Sequence, residues 1–281
     1  MNDTSIKYKI TECIIDSCIS PEFLRSNFED YIISSKEKAN VKIKLEGNEV
    51  TIPAIAKDID DYKYYQREKN VHTYYYKNNV YVEGCSIKFI DEEEMDEIKL
   101  FIKLEDDFEK KALSREITYA FMDSFYLYLV FMKKICVHSC SFVIRKKGII
   151  VSGQPGSGKS TLVKKISKKA NIEIVGEDIN ACDFELNFFG MPWCRVNKNV
   201  AKKIDAIIFL GNETKELHRE EIVELLLQSE FSLNWIDESK ENINKLADIL
   251  VSTHNCFMIE NKKDSCTIDR FEKLVKEIAK E

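Results

Sequence analysis

Apolar and polar residues alternate along much of the N-terminal third of the chain, which is the pattern of half-buried β-strands. The alternation is strict at residues 41–45, and residues 98–104 form another alternating run. A further run at residues 72–82 is interrupted by the polar residues 77–79, which favour a hairpin turn. We therefore expect residues 1–108 to form a β-rich region, arranged as an antiparallel meander.

The spacing of apolar residues changes after this region. From residue 109 to residue 134 they recur every three or four positions, as on one face of an α-helix. These positions are Leu113, Ile117, Phe121, Phe125, Tyr128 and Met132. Further along, short apolar runs alternate with helix-like segments, as in α/β domains. We expect residues 109–281 to form an α/β domain with a mixed sheet, ending in a helix at residues 269–280 that Asp269 caps.

A glycine-rich loop follows the apolar run at residues 148–152 and leads into a helical segment. It matches G-x-x-x-x-G-K-[ST], the Walker A pattern, at every fixed position. Glycines let backbone N–H groups close around phosphate oxygens, Lys159 brings positive charge to the β- and γ-phosphates, and Ser160 can reach Mg²⁺. The residues expected to hold a nucleotide are Gly153, Gly156, Ser157, Gly158, Lys159, Ser160 and Thr161.

Two adjacent carboxylates, Glu177 and Asp178, follow a short apolar run at residues 172–175. Ligands of α/β sheets gather where strands end, so we expect both side chains close to the glycine loop. A carboxylate there can bind Mg²⁺ or accept the proton of an attacking hydroxyl. His138, on the strand before the loop, is expected to reach the same edge. Arg195 either contacts a phosphate or substrate carboxylate or lies on the surface.

A second nucleotide-site motif is missing. The apolar run at residues 205–210 lacks the Asp that ends a Walker B strand, because Gly211 and Asn212 follow it. Asp178, together with Glu177, is therefore expected to supply the metal ligand or the base. The missing motif also counts against a motor or AAA-type ATPase.

Charge and cysteine usage narrow the class of protein. The net charge of −6 leaves no basic field for nucleic acid. The nine cysteines include no CxxC pair, which favours free thiols in a reducing compartment over disulfides or a zinc site. The most hydrophobic stretch, residues 117–132, is shorter than the ~20 residues that a membrane helix needs, and no signal-peptide core is seen. We expect a cytoplasmic protein that binds neither nucleic acid nor membrane.

Tyrosine is concentrated between residues 62 and 81. The tyrosines there are Tyr62, Tyr64, Tyr65, Tyr74, Tyr75, Tyr76 and Tyr81. Tyrosine is enriched at interfaces, so these side chains could form a docking surface for a peptide. They could instead be ordinary strand residues with an apolar body and one polar end, and the pattern favours this second interpretation.

In combination, these motifs resemble the HPr kinase/phosphorylase family of PEPCK-like P-loop proteins. An apolar helix precedes a Val-His pair containing His138, a hairpin leads to G-x-x-G-x-G-K-S-T, and a strand then ends in Glu177 and Asp178. The likeness is closest to the HPr-kinase-like serine kinases that accompany ribosomally made, modified peptides. The segment at residues 190–194 resembles their G-x-P-W motif, and the resemblance covers residues 112–280.

The resemblance implies ATP-dependent phosphorylation of a serine hydroxyl on a peptide or protein, with Mg²⁺ as cofactor. It assigns ATP to the glycine loop, Mg²⁺ to Ser160 and the catalytic base to Asp178. Glu177 matches the preceding acidic position, where the family usually has Asp, and His138 matches a histidine near the transferred phosphate. Homo-oligomers are implied as well. The signature that follows the acidic pair in bifunctional relatives is missing, so the resemblance does not extend to phosphorylase activity.

Two other functions stay open from the sequence. The acceptor could be a small molecule such as free serine, for which a compact polar pocket near Arg195 is expected. The chain could instead be a nucleotide-dependent peptide-binding module with weak ATPase activity. An open groove beside the tyrosine-rich segment would favour a peptide acceptor.

Overall fold

The computed structural model describes residues 5–24, 28–47, 50–90, 95–103, 110–194, 196–229, 233, 235–253, 255–262 and 264–279. The chain divides into two compact units, Met1–Tyr128 and Leu129–Glu281. The division falls inside helix α1 (Lys110–Phe131), later than the boundary at residue 109 that the sequence pattern indicates. None of the helices in these residues combines the length and the apolar character needed to cross a membrane.

The first unit contains an eight-stranded sheet in the order β1-β2-β3-β8-β7-β6-β5-β4. Its strands are β1 (Ile6–Ile10), β2 (Cys13–Ser17), β3 (Val41–Glu46), β4 (Lys57–Asp58), β5 (Lys63–Glu68), β6 (Val71–Tyr76), β7 (Val82–Lys88) and β8 (Asp96–Ile102). Strands β4 to β8 form the expected antiparallel meander. The prediction is wrong at β3, which lies parallel to β2 and β8, because long connections rather than hairpins lead to and from it.

Aromatic rings line the side of α1 that packs in the first unit, including Phe121, Phe125 and Tyr128. Asp123 lies in the middle of this apolar helix. Its Oδ2 accepts a hydrogen bond from Tyr76 Oη at 3.0 Å and lies 2.9 Å from Lys63 Nζ. These two partners offset the cost of taking the carboxylate out of water. The acidic residue is therefore compatible with a helix that is otherwise apolar.

Most of the clustered tyrosines are buried or partly buried in the first unit. Tyr62 is exposed, whereas Tyr74 and Tyr75 are buried and the other four are partly buried. Tyr65 Oη lies 2.6 Å from His72 Nδ1, so the polar end of this ring is satisfied internally. This arrangement favours the interpretation as strand residues over a docking surface.

The second unit is built on a nine-stranded mixed sheet in the order β14-β13-β12-β9-β10-β15-β17-β16, with β11 also paired to β9. The strands are β9 (Lys134–Ile144), β10 (Lys147–Ser152), β11 (Ile172–Gly176), β12 (Ile179–Asp183), β13 (Asn187–Gly190), β14 (Ala201–Lys203), β15 (Ala206–Gly211), β16 (Lys215–Glu216) and β17 (Cys256–Glu260). The helices are α2 (Lys159–Ser167), α3 (Arg219–Ser229), α4 (Asp237–Ser252) and α5 (Ser265–Ile278). The expected α/β class with a mixed sheet is confirmed.

Helices cover both faces of this sheet. Successive residues of a strand point to opposite faces, so β10 contributes Ile149 and Val151 to one apolar cluster and Ile150 to the other. The first cluster contains α2 and α5, and the second contains α3 and α4. Strands β10, β15 and β17 are parallel, and their carboxyl ends therefore meet at one edge between the two helical layers.

The last helix begins earlier than the sequence indicates, and the prediction that Asp269 caps it is wrong. The N-cap is Asp264, whose Oδ1 accepts a hydrogen bond from Thr267 N at 2.8 Å. Asp269 lies within the helix. The cap places a carboxylate at the edge where the parallel strands end.

Candidate functional site

The long strand β9 positions both halves of the site. On one edge it pairs with β10, which leads into the glycine loop. On the other edge its first half pairs with β12 and its second half pairs with β11. Glu177 and Asp178 lie in the gap between β11 and β12. The two carboxylates are thus one strand away from the strand that carries the loop.

The glycine loop has the backbone conformation that its sequence predicts. Gly153, Gly156 and Gly158 have φ angles of 146°, 75° and 91°, which side-chain-bearing residues rarely adopt. Gly158 caps α2 and has no side chain, so none covers the first N–H groups of that helix. Such N–H groups, at the positive end of the helix dipole, form a ready site for phosphate oxygens.

Lys159 is almost fully buried beneath this loop. Its Nζ donates to Gly153 O at 2.7 Å and to Gln154 O at 3.1 Å. Burial lowers the pKa of the ammonium, while Cys140 and Asp178 oppose the shift. Asp178 therefore contributes negative charge at this lysine.

Asp178 and His138 form a pair across two strands. In the register of β12 against β9, Ile179 lies opposite His138, which places Asp178 beside the histidine. His138 Nε2 lies 3.1 Å from Asp178 Oδ1. Ser139 N donates to Asp178 O at 2.9 Å, and Asp178 has a φ of 84°, a strained conformation for a residue other than glycine. The Asp178 side chain is 64% exposed, so an incoming group can reach it.

Glu177 is buried, unlike its neighbour Asp178. Its Oε1 lies 3.5 Å from Lys164 Nζ of α2, yet this buried oxygen accepts no hydrogen bond among the described residues. A buried carboxylate oxygen without a hydrogen bond is costly, so a ligand that satisfies it would be stabilised. The two adjacent carboxylates are therefore suited to different roles.

Cys140 lies between the loop and the carboxylates, and sequence reasoning missed it. Its Sγ lies 3.3 Å from Ser160 Oγ, and the backbone N–H of Asp178 donates to the sulfur. Burial raises the pKa of the thiol, which stays neutral at pH 7. The sequence feature that could have identified Cys140 is its position on β9, two residues after His138 and therefore on the same face of the strand.

A row of buried polar side chains fixes β12 against β9, and the sequence pattern did not predict it. Asn180 Nδ2 donates to Ser139 O at 3.1 Å and to Ser139 Oγ at 2.9 Å. Asn180 Oδ1 accepts from Ser141 Oγ at 2.6 Å. All three side chains are fully buried. Because Asn180 is two residues after Asp178, this row holds the carboxylate segment in register.

Two cavities flank the glycine loop within the second unit. The larger has a volume of about 590 Å³, and its lining includes Gly153, Gln154, Gly211, Asn212, Glu221 and Glu224. The smaller has a volume of about 250 Å³ and lies between α2 and α5, and its lining includes Gly158, Thr161, Leu162, Asn261, Asp264 and Ile268. The loop thus has an open space on each side.

The structure brings most of the expected site residues together. Ser160 Oγ contacts Cys140 Sγ, and the pKa of this thiol is influenced by Lys159, Glu177 and Asp178. His138 joins the group through its contact with Asp178. Gly153, Gly156, Ser157, Gly158 and Thr161 line one or both cavities. Arg195 lies outside the described residues. Within the described residues, no three His, Cys, Asp or Glu side chains converge as a complete metal site.

Comparison with known proteins does not place the chain in a family. The sequence matches no protein-family model, and a search of curated proteins returns no significant match. The resemblance to HPr-kinase-like proteins therefore rests on the motifs and their spacing.

Proposed function

We propose that the chain is an HPr-kinase-like phosphotransferase that moves the γ-phosphoryl group of a nucleoside triphosphate to a serine hydroxyl of a peptide or protein. The resemblance implies ATP as the donor. The observation that carries the proposal is the pair of Asp178 and His138 beside the glycine loop. A loop for phosphates with an exposed, oriented carboxylate next to it is what phosphoryl transfer to a hydroxyl needs.

The donor would be held through its phosphates. The N–H groups at the start of α2 and the Lys159 ammonium would stabilise the negative charge on the transferring group. Lys159 Nζ, which serves the β- and γ-phosphates, lies on the side of Gly153 and Gln154. Both residues line the larger cavity, so the γ-phosphate would face that cavity.

The residues present fit Mg²⁺. The ion usually takes one or two protein oxygens together with phosphate oxygens and water, so it does not need a full protein cage. The Ser160 hydroxyl and a carboxylate of Asp178 or Glu177 would hold it, and the unsatisfied Glu177 Oε1 supports a role for that residue. When bound, Mg²⁺ neutralises charge on the phosphate oxygens.

Asp178 would act as the general base. Its exposed carboxylate would accept the proton of the serine hydroxyl as that oxygen attacks the γ-phosphorus. His138 would orient the carboxylate through the contact of 3.1 Å. The hydrogen bond from Ser139 N to Asp178 O fixes the backbone from which the base projects.

The larger cavity would receive the residues beside the acceptor serine, because its lining includes the glycine loop but not Asp178. Its volume of about 590 Å³ accommodates a few residues. Glu224 gives one wall negative charge, whereas Glu221 on the same wall is paired with Lys215. The charge of Glu224 favours an acceptor with a basic group near the serine. The same volume lies in the range of small-molecule sites, so a small alcohol with a basic group is the second candidate.

The test is transfer of labelled γ-phosphate to a panel of serine-containing peptides and small alcohols by wild type and Asp178→Asn. We expect the substitution to lower the transfer rate by roughly 10²- to 10⁴-fold, because it removes the base, and to leave nucleotide affinity almost unchanged. Asp237→Asn, at a surface position of α4, is the matched control. Near-normal transfer by Asp178→Asn would refute the assignment. Hydrolysis without any labelled acceptor would instead support a binding module.

A further inference from the structure

The smaller cavity has the composition of a site for a flat heterocycle. Leu162 and Ile268 supply apolar side chains, and polar ones come from Lys165, Asn261, Asp264 and Thr267. Binding sites for small organic groups combine an apolar lining with a few placed polar atoms in this way. The cavity also borders Gly158 and Thr161, so it is continuous with the phosphate loop.

The direction of a bound nucleotide decides what enters this cavity. Lys159 marks the end of the loop that serves the β- and γ-phosphates, on the side of Gly153 and Gln154. The remainder of the nucleotide must leave the loop at the other end. That end is Thr161, on the first turn of α2, and it lines the smaller cavity. A nucleotide whose γ-phosphate faces the larger cavity therefore directs its base into the smaller one.

Asp264 offers the base a carboxylate. Its Oδ1 accepts hydrogen bonds from Thr267 N at 2.8 Å and from Thr267 Oγ1 at 2.9 Å. The residue is exposed where it lines the cavity, so a ligand there can reach the carboxylate. The hydrogen bonds from Thr267 hold the pKa of this carboxyl below its usual value, so it is an anion that only accepts hydrogen bonds.

Asn261 ties this cavity to the phosphate loop. Its side-chain Nδ2 donates to Ser157 O, and its backbone N donates to Gly211 O at 2.8 Å. The connection from β17 to α5, which carries Asp264, is thereby held at a fixed position relative to the loop. A fixed distance between the acceptor carboxylate and the phosphate site is a condition for recognising a base.

We propose that the smaller cavity binds a guanine base and that Asp264 selects guanine over adenine, so that the donor nucleotide is GTP. The inference rests on the proposed function, since it requires a triphosphate in the loop. Guanine carries two adjacent donors, N1–H and the N2 amino group, which match a carboxylate. Adenine presents the lone pair of N1 at the corresponding position, and a carboxylate facing it has no proton to share.

The size of the preference follows from this pairing. One good set of paired hydrogen bonds between a side chain and a base discriminates by roughly 10- to 100-fold. Xanthine differs from guanine by a carbonyl in place of the amino group, so it suits a side chain that both accepts and donates. Asn at position 264 would present such a side chain, and Asn caps helices as well as Asp does.

The experiment measures the affinity of the full chain for GTP, ATP and xanthosine triphosphate, with Mg²⁺, by titration calorimetry. We expect wild type to bind GTP at least tenfold more tightly than ATP. Asp264→Asn should weaken GTP binding at least tenfold and strengthen binding of xanthosine triphosphate. Asp269→Asn, on the same helix outside the cavity lining, is the matched control and should leave the ranking unchanged.

The outcomes separate this inference from the function on which it rests. Equal or tighter binding of ATP, with normal phosphoryl transfer, overturns the guanine site and leaves the phosphotransferase intact. Binding of none of the three triphosphates overturns both. Equal loss of all three in Asp264→Asn, in a variant whose thermal unfolding is unchanged, also overturns the selection by Asp264.

Discussion

Removing the Asn180 side chain should loosen the second unit at the point where the carboxylates emerge. Asn180→Ala deletes three buried hydrogen bonds, two to Ser139 and one to Ser141. The Ser139 hydroxyl keeps its bond to Val137 O, and the Ser141 hydroxyl keeps a longer one of 3.4 Å to Gly176 O, so the main loss is at the Ser139 carbonyl. A buried polar group left without a partner costs about 1–3 kcal/mol, and the truncation also leaves a small void. We expect a loss of roughly 2–4 kcal/mol in the free energy of unfolding.

The assay is urea denaturation followed by tryptophan fluorescence. Both tryptophans, Trp193 and Trp235, belong to the second unit, so the signal reports on that unit. Asn244→Ala removes a partly buried amide of α4 that bonds to Lys240 O and to Arg219 Nη2, and it should change the stability by less than about 1 kcal/mol.

A double-mutant cycle with Ser141→Ala isolates the bond between the two side chains. We expect a coupling of about 1 kcal/mol or more, because the contact is short and buried. A loss below about 1 kcal/mol in Asn180→Ala, together with a coupling near zero, would show that the polar row does not hold β12 in place.

Three further predictions address the loop and the fold. Cys140→Ala should keep the fold but lower the affinity for nucleotide about tenfold when Mg²⁺ is present, because the sulfur contacts the hydroxyl expected to bind the metal. The affinity measured without Mg²⁺ should change little. Cys140→Ser should retain most of the affinity. Gly148→Ala should destabilise the second unit by more than about 2 kcal/mol in urea, since the added carbon would lie 1.9 Å from Lys203 O; normal stability would contradict the packing. Glu272 pairs with two lysines, which lower its pKa to about 2, so its contribution to stability should be present above pH 4.5 and disappear as the pH falls to about 2. The difference in melting temperature between wild type and Glu272→Gln should shrink over this interval, and a difference that persists at pH 2 would contradict the pairing.

The segments around the phosphate loop could be predicted because local signals encode them. The apolar run before the loop is β10, the three loop glycines have the positive φ angles that glycine permits, and the periodic segment after the loop is α2. Each of these features depends on residues within a few positions of one another. No knowledge of the rest of the fold was needed.

The contacts between strands could not be predicted in the same way. The pairing of His138 with Asp178 depends on the register of β12 against β9. Strand β12 itself was not expected, because Asn180 at its second position disfavours a strand and is accommodated only by partners on β9. Asp264 was missed because the periodic apolar positions of α5 do not mark where its first turn begins.

The pairing of β9 with strands on both of its edges determines which displacements in the sheet can move the reacting groups relative to one another. The loop strand and the carboxylate segment are both aligned to this one strand, each by its own ladder of hydrogen bonds. The distance between the loop strand and the carboxylate segment therefore depends on β9 alone. Displacements of other strands do not change this distance. Substitutions in α4 or at the distant edge of the sheet should lower the melting temperature while leaving the alignment of the reacting groups unchanged.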